Sequence, residues 1–471
     1  MSATVTTVNP ATGHELQTYP AADLAGVLET LGSVAAAQPA WAATPVERRA
    51  ELIRAVGDQL RKQTEEFAAL MTAEMGKPVG EARAEVEKSA TACDYYADHS
   101  AEILAPHPVA TQHQQSWVEH EPIGVVLAVM PWNFPFWQVL RFAAPTLMAG
   151  NTAVLKHSPN VTGCALAIEQ VFRDAGVPED VFRTIVVAEP DVPAITTELI
   201  ADDRIAAVTL TGSERAGAAV ASAAGREIKK TLLELGGSDP FVVLDDADLD
   251  LVVPSAVRAR FINSGQSCLA AKRFIVARAV VEEFTARFTA AVAELTVGDP
   301  TDPATTIGPM ARADLLDGLE RQVSRSVAAG ATVTTGGRRL DGPGAFFAPT
   351  VITDVTLDMP VMAEETFGPV AAVIAVDGDD EAAEIANHTR YGLAASVWSA
   401  DPARALAVGK RITSGALFVN TVVSSDPRLP FGGTKHSGYG RELGVAGATE
   451  FTNTRTYVIG SGALTSGPAT E

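Results

Sequence analysis

Three short peptides place reactive side chains among glycines, prolines or small polar residues. In Asn263-Ser-Gly-Gln-Ser-Cys268-Leu-Ala-Ala-Lys-Arg, one cysteine follows a glycine-containing turn and precedes a strand-like run. A cysteine in a core acts as a small hydrophobe and normally has apolar flanks. The small polar residues at 263–267 leave open another use, a thiolate nucleophile, which requires access and a pKa below the ~8.5 of a free thiol. In Leu233-Glu234-Leu-Gly-Gly-Ser-Asp-Pro240 a carboxylate ends an apolar run. It is either a helix-capping acid or a base aimed into a cleft. In Met130-Pro-Trp-Asn133-Phe-Pro-Phe-Trp, Asn133 either caps the helix that follows or donates its amide to an oxyanion.

The elements that must position these peptides follow from periodicity. Apolar residues at three- and four-residue spacing (Leu52, Ile53, Val56, Leu60; Phe67, Leu70, Met71) predict helices across 22–103. From 124 the texture changes to short apolar runs at 125–130, 152–155, 184–187, 205–210 and 231–233. Amphipathic or Ala-rich stretches at 137–148, 161–175, 191–200 and 213–224 separate them. Such alternation predicts a parallel sheet covered on both faces. A second α/β stretch begins near 240, with strand-like 241–244, 274–277 and 371–374. The polar, alternating segment 110–122 predicts a strand pair projecting from the body. The lone β-prone run 453–459 requires another sheet edge, which a partner subunit is one way to supply. The small-residue tail after Gly460 is expected to be loose.

Composition excludes several classes. The 471 residues carry 57 acidic and 36 basic side chains, a formal charge of −21. That balance disfavours duplex nucleic acid and anionic membranes, both of which need a basic face. No apolar run approaches a membrane span, and the start Met-Ser-Ala-Thr-Val-Thr-Thr has no signal-peptide character. The 3 cysteines (Cys93, Cys164, Cys268) are too few for a disulfide framework, and Cys93 and Cys164 sit in helical stretches. The 8 histidines form no metal-ligand pattern, so no metal is expected. The cytoplasm is the expected address.

Taken together, the peptides resemble the aldehyde dehydrogenase superfamily. The matching landmarks are Pro131-Trp-Asn-Phe-Pro135, Lys156, Thr211-Gly-Ser213, Leu233-Glu-Leu-Gly-Gly237, Gly265-Gln-Ser-Cys268, Glu365-Thr-Phe-Gly-Pro369 and Pro430-Phe-Gly-Gly433, all in family order. The resemblance implies an α/β architecture in three parts. These are a doubly wound cofactor-binding domain (1–104 and 123–236), an α/β catalytic domain (237–436) and a small β oligomerisation arm (105–122 with 437–460). The tail 461–471 lies outside all three. It also implies a dimer or tetramer of identical chains.

Roles follow by position. Cys268 is the implied nucleophile, Asn133 and the Cys268 backbone N–H the oxyanion donors, and Glu234 the base that activates water against a thioester. Trp132, Lys156, Ser158, Gly212, Ser213, Gly217, Glu365 and Phe367 are implied at the coenzyme. The peptide Gly438-Tyr-Gly440 lacks the third glycine of a dinucleotide fingerprint, whereas Gly212–Gly217 follows a strand and opens a helix. NAD-preferring relatives often carry a Glu three residues after the lysine. Here Pro159 stands there, so no anion opposes a 2′-phosphate, and NADP is favoured with NAD also used.

The stretches Phe136-Trp-Gln-Val-Leu-Arg-Phe, Leu155-Lys-His and Ser425-Asp-Pro-Arg-Leu-Pro-Phe-Gly-Gly look like the succinate-semialdehyde dehydrogenase branch. Arg141, about two helical turns beyond Asn133, is then expected to bind the substrate's distal carboxylate, with Trp137 in its surround. Ile262 stands where some relatives carry a second arginine. Arg428, Ser424 and Ser425, ahead of Phe431, are the expected compensation. The rival readings are a broad aliphatic aldehyde dehydrogenase and, from another class, a noncatalytic oligomeric scaffold.

Overall fold

A computed structural model describes residues 3–460. The tail expected to be loose, 461–471, lies outside the described residues.

The first α/β unit is built on a 6-stranded sheet. Its order is Gly438–Tyr439, Lys230–Glu234, Ile205–Thr211, Val125–Met130, Thr152–His157 and Phe182–Ile185. All neighbours are parallel except the edge strand Gly438–Tyr439. Side chains alternate between two cores, because successive strand residues face opposite sides. Val126, Ala128, Met130 and Leu155 pack under helices Val46–Lys62, Thr64–Met75 and Val79–Ile103. Val125, Leu127, Val154 and Leu210 pack against helices Leu24–Ala42, Val192–Ala201 and Glu214–Arg226. Burial on both faces is why these strands read as unbroken apolar runs.

The strand order reverses between Val125–Met130 and Ile205–Thr211. A crevice at such a point, beyond the carboxyl ends of the strands, is where open α/β sheets hold ligands. The chain leaves one strand into Pro131-Trp132-Asn133 and the other into Gly212-Ser213, so both peptides face that crevice.

A 7-stranded sheet forms the second unit, in the order Thr332–Thr335, Thr350–Thr353, Val370–Val376, Ala271–Ala277, Asp239–Val243, Ala394–Trp398 and Ala416–Val419. It is parallel apart from its first pair. Helix Leu249–Phe261 leads from Asp239–Val243 to the Cys268 loop, which feeds directly into Ala271–Ala277.

Two expectations change. The strand expected at 184–187 lies earlier, at Phe182–Ile185, where Phe182 stacks on Phe172 at 4.5 Å between ring centroids. The segment 437–460 does not belong to the arm as a whole. Gly438–Tyr439 closes the edge of the 6-stranded sheet, approaching so tightly that a Cβ on Gly438 would lie 1.9 Å from Leu233 O. Only Thr452–Ile459 enters the arm, pairing antiparallel with Gln115–Pro122 of its own chain, which also pairs His107–Pro108. Trp117 stacks on Tyr457 at 4.9 Å within that pair. The lone strand therefore finds its edge in cis. No helix among the described residues is long and apolar enough to cross a membrane.

Candidate active site

The Cys268 loop starts where helix Leu249–Phe261 ends. Asn263, Ser264 and Gly265 take φ of 52°, 54° and 73°, a run of left-handed residues that only fixed surroundings maintain. Those surroundings are specific. Asn263 Nδ2 donates to Asn133 O (2.7 Å), and Ser264 Oγ accepts from Gly308 N (2.9 Å). Gln266 Oε1 accepts from Ala311 N (2.9 Å). At Gly265 a Cβ would lie 2.3 Å from Gly368 O, so a side chain is sterically barred there. Lys272, fully buried, donates to Ser267 O (3.0 Å) and Cys268 O (2.9 Å) and pairs with Glu365 (3.1 Å).

This loop leaves Cys268 half-buried in a wall shared by two cavities. One, of about 240 Å³, is bordered by Trp132, Asn133, Gly212, Ser213, Glu234, Glu365 and Phe367. The other, of about 110 Å³, is bordered by Lys88, Trp137, Arg141, Ser424 and Ser425. Cys93 and Cys164 are buried in the helical core. The thiol is not pre-ionised: burial pushes Cys268 up to about 11, with Glu234 and Glu365 adding to the rise and Arg141 and Lys272 opposing it. The lowered pKa that the nucleophile reading requires is therefore absent from the resting state, because desolvation outweighs the nearby cations.

Asn133 is oriented by its neighbours. Gln138 Nε2 donates to Asn133 Oδ1 (2.9 Å), which turns the amide nitrogen toward the Cys268 loop, where it donates to Gln266 O (3.1 Å). The amide's second hydrogen and the Cys268 N–H, which enters no hydrogen bond among the described residues, are the donors available to an oxyanion. Glu234 is 2 % exposed and its Oε1 has no hydrogen-bond partner. Burial and the neighbouring Glu442 hold it well above the usual carboxylate range, against Arg141 and Arg441. A buried acid with an unsatisfied oxygen facing a cavity is poised to exchange a proton with water. It is no helix cap.

The larger cavity has the parts to cradle a phosphate-bearing dinucleotide. Ser213 caps helix Glu214–Arg226, accepting from Ala216 N (3.3 Å), so the helix N-terminus opens at the cavity rim. Trp132 meets Phe367 edge-on at 5.7 Å. Glu365 accepts from Gly237 N (3.0 Å), which ties the ribose-side carboxylate expected there to the glycine turn after Glu234. Lys156 and Ser158 stand at the carboxyl end of Thr152–His157, outside the cavity wall. Burial lowers Lys156 to about 8, opposed by Glu189. Gly217, expected at the coenzyme, packs closely on the loop after Glu234. A Cβ there would lie 2.6 Å from Leu235 Cδ2, so its bareness serves helix-to-loop packing.

On the other side, the expected carboxylate binders separate. Arg141 borders the smaller cavity, but it already forms a buried ion pair with Glu442, donates to Thr211 Oγ1 (3.2 Å) and lies 5.0 Å from the Phe431 ring. Its charge has a resident partner. Phe431 is buried beside Trp137 and Leu443, with the Arg141 guanidinium over its ring. Arg428 does not reach the cavity: its own neighbour Asp426 takes its guanidinium at 2.8 and 2.5 Å, and the side chain is 74 % exposed. Ser424 and Ser425 do border it. Sequence reasoning missed Lys88, Gln138, Lys272 and Glu442. Lys88 arrives from a helix far upstream whose pattern reads only as amphipathic, and the other three look like ordinary polar residues of a helix, a strand and a loop. Among the described residues no cluster of His, Cys, Asp and Glu is arranged to hold a metal.

Comparison with known proteins agrees with this geometry. The aldehyde dehydrogenase family model matches residues 1–457. A Synechocystis protein named probable succinate-semialdehyde dehydrogenase (NADP+) is 50% identical over 455 residues, covering 97% of this chain and 99% of its own. The Escherichia coli succinate semialdehyde dehydrogenase (NAD(P)+) Sad is 47% identical, covering 95% and 96%. The crystal structure of succinic semialdehyde dehydrogenase from Streptococcus pyogenes, in complex with NADP+, superposes with a TM-score of 0.94 at 37% identity, covering 97% and 100%. With its cysteine, asparagine and glutamate gathered at one crevice and its whole length matched, the chain belongs to the aldehyde dehydrogenase family.

Proposed function

We propose that this chain oxidises succinate semialdehyde to succinate in the cytoplasm, with NADP+ preferred and NAD+ accepted, as a homodimer or a dimer of dimers joined through the arm. The observation that carries the reading is the position of Cys268 between two cavities, with Glu234 and the crevice bordered by Gly212, Ser213 and Glu365 on one side and a cation-bearing chamber on the other. Relatives about half identical over the full length bear the succinate-semialdehyde dehydrogenase name, which supports the substrate.

Trp132, Gly212, Ser213, Glu365 and Phe367 would hold the coenzyme, with Lys156 and Ser158 toward its adenosine ribose. No carboxylate stands at Pro159 to repel a 2′-phosphate, which supports NADP+. Cys268 Sγ, once deprotonated, bonds to the aldehyde carbon, and the oxygen becomes an oxyanion held by Asn133 and the Cys268 N–H. Losing one such donor typically costs ~10²–10³ in rate. Hydride acceptance is the chemistry the bound coenzyme supplies, and a thioester on Cys268 remains. Glu234, in its ionised form, then takes a proton from water as the water oxygen attacks the thioester. The C–S bond breaks, succinate leaves and the sulfur is regenerated.

The test is kcat/KM for succinate semialdehyde, butanal and benzaldehyde with each coenzyme, on the native enzyme and on Cys268→Ala. Preference for succinate semialdehyde with NADP+, abolished in the variant, is the expected result. Equal use of butanal would make the enzyme a broad aliphatic aldehyde dehydrogenase, and a tenfold preference for NAD+ would overturn the coenzyme reading. Light scattering on the full chain tests the oligomer.

A further inference from the structure

Helix Val79–Ile103 turns one face, Gly80, Glu81, Ala84, Glu85 and Lys88, toward an outer cavity of about 490 Å³. This vestibule shares Lys88, Phe134, Trp137 and Ile262 with the inner chamber that ends at Cys268. Lys88 thus stands where the passage narrows toward the nucleophile. Its ammonium donates to Ser425 Oγ (2.7 Å) and lies 4.4 Å from the Trp137 ring centre.

Three cations border the inner chamber, and none of its wall residues is acidic. Arg141 is taken up in its buried contact with Glu442. Arg258 is an exposed side chain, shared with the vestibule. Lys88 has a neutral hydroxyl and an aromatic face as its partners, and no carboxylate pairs with it among the described residues. A half-buried ammonium with no counter-anion calls for one from outside. Because the Ser425 hydroxyl accepts from Lys88, its own proton stays free for a second donation. Ammonium and hydroxyl together make a two-point site for a carboxylate.

We propose that Lys88, with Ser425, is the group that recognises the distal carboxylate of the substrate, and that Arg141 supports the site through its pairing with Glu442. This assignment rests on the succinate-semialdehyde reading and deepens it. The electrostatics agree. Burial and Arg141 lower Lys88 to about 8, against Glu85, Cys268 and Asp426. A bound carboxylate reverses that shift, so substrate binding and protonation of Lys88 favour one another.

The experiment compares the native enzyme, Lys88→Met, Lys88→Arg and Ser425→Ala by the ratio of kcat/KM for succinate semialdehyde to that for butanal. The expected ratio falls at least ~30-fold in Lys88→Met, mainly through KM, and is largely kept in Lys88→Arg. In the native enzyme the ratio declines at alkaline pH as Lys88 loses its proton. In Lys88→Arg it does not, since a guanidinium stays charged. A smaller loss is expected for Ser425→Ala. A Lys88→Met enzyme that keeps the native ratio overturns the assignment and returns the carboxylate to Arg141 or Arg258. Equal losses on both aldehydes in Lys88→Met and Lys88→Arg alike overturn it in favour of a packing role on Trp137. A native ratio near one overturns the succinate-semialdehyde reading itself, whatever Lys88 does.

Discussion

A Cβ placed on Gly432 would lie 2.7 Å from Glu234 Oε1. Glu234, the base proposed for deacylation, therefore owes its place to a residue with no side chain, on a loop that returns from far down the sequence. Gly432 has φ of 153°, at the edge of the region that L-residues rarely adopt, and Phe431 beside it is fixed to Glu442 by backbone bonds of 2.7 and 2.8 Å. The loop cannot easily yield.

Gly432→Ala is therefore expected to displace the carboxylate while leaving Cys268 and Asn133 in position. Acylation continues and deacylation slows. Stopped-flow mixing should show a burst of about one equivalent of reduced coenzyme, followed by a steady state reduced ~10²-fold, the penalty of an ångström-scale misplacement. Glu234→Gln should show the same burst with a deeper stall, ~10²–10⁴-fold, the usual worth of a general base. A variant with no burst would show that Glu234 also acts before hydride transfer.

Arg141 and Glu442 form a buried pair with side chains 3% exposed on each side. Removing one partner strands the other's charge in the core, which typically costs ~3–5 kcal/mol. Arg141→Met and Glu442→Gln are each expected to lower stability by that order in urea titrations. The double variant should recover a large part of the loss. Arg141→Met should depress turnover of succinate semialdehyde and butanal alike. Independent, additive losses would show the two charges do not compensate one another.

How much was legible in the sequence differs between fold and site. The parallel strands of the first unit stand out because burial on both faces leaves them mostly apolar at their centres, and Val125–Met130 is apolar throughout. Cys268 and Glu234 are marked by small residues and glycines that fit no core, and Asn133 by the prolines around it after a strand. The charge partners carry no such mark. Arg141 on its apolar helix invites a ligand until Glu442, contributed by a loop returning from the C-terminal region, is seen against it. Lys88 lies on a helix where a lysine ordinarily means solvent, and its meaning comes from Trp137 and Ser425, both distant in sequence. Gly438 looked like part of the arm because a two-residue edge strand has too little periodicity to announce its sheet.

The state of Cys268 gives a second measurable consequence. With the thiol pushed up to about 11 by burial, the coenzyme-free enzyme holds mostly thiol at neutral pH. Only the thiolate is alkylated, so the rate with iodoacetamide should climb about tenfold per pH unit between about 7 and 10, without a plateau. Cys93 and Cys164 are buried with raised pKa values, so one equivalent should be incorporated in the folded protein. Lys272→Met should slow the reaction further, since Lys272 favours the thiolate. A rate already at its plateau below pH 8 would contradict this account.

Acid stability should carry the signature of His157. Its Nδ1 accepts from Ser158 N (2.9 Å), so the proton sits on Nε2, which donates to Pro135 O (3.0 Å). A second proton would set an N–H against the Ser158 N–H in a fully buried site. Burial accordingly lowers the group from 6.5 to about 4, with Lys156 adding to the effect and the Pro135 carbonyl opposing it. The folded value lies below the unfolded one, so between about 6.5 and 4 the unfolded chain binds the extra proton, and stability falls as pH drops through that window. His157→Gln can keep the bond to Pro135 O but does not titrate. The stability advantage of the native protein over this variant should shrink by ~1–3 kcal/mol between pH 7 and 4, read from urea unfolding at each pH. Because Pro135 is part of the turn that carries Asn133, any effect of His157 on oxidation rates should appear only as pH falls to about 4, where the folded protein takes the proton. An advantage independent of pH would mean that His157 keeps its ordinary titration in the folded protein.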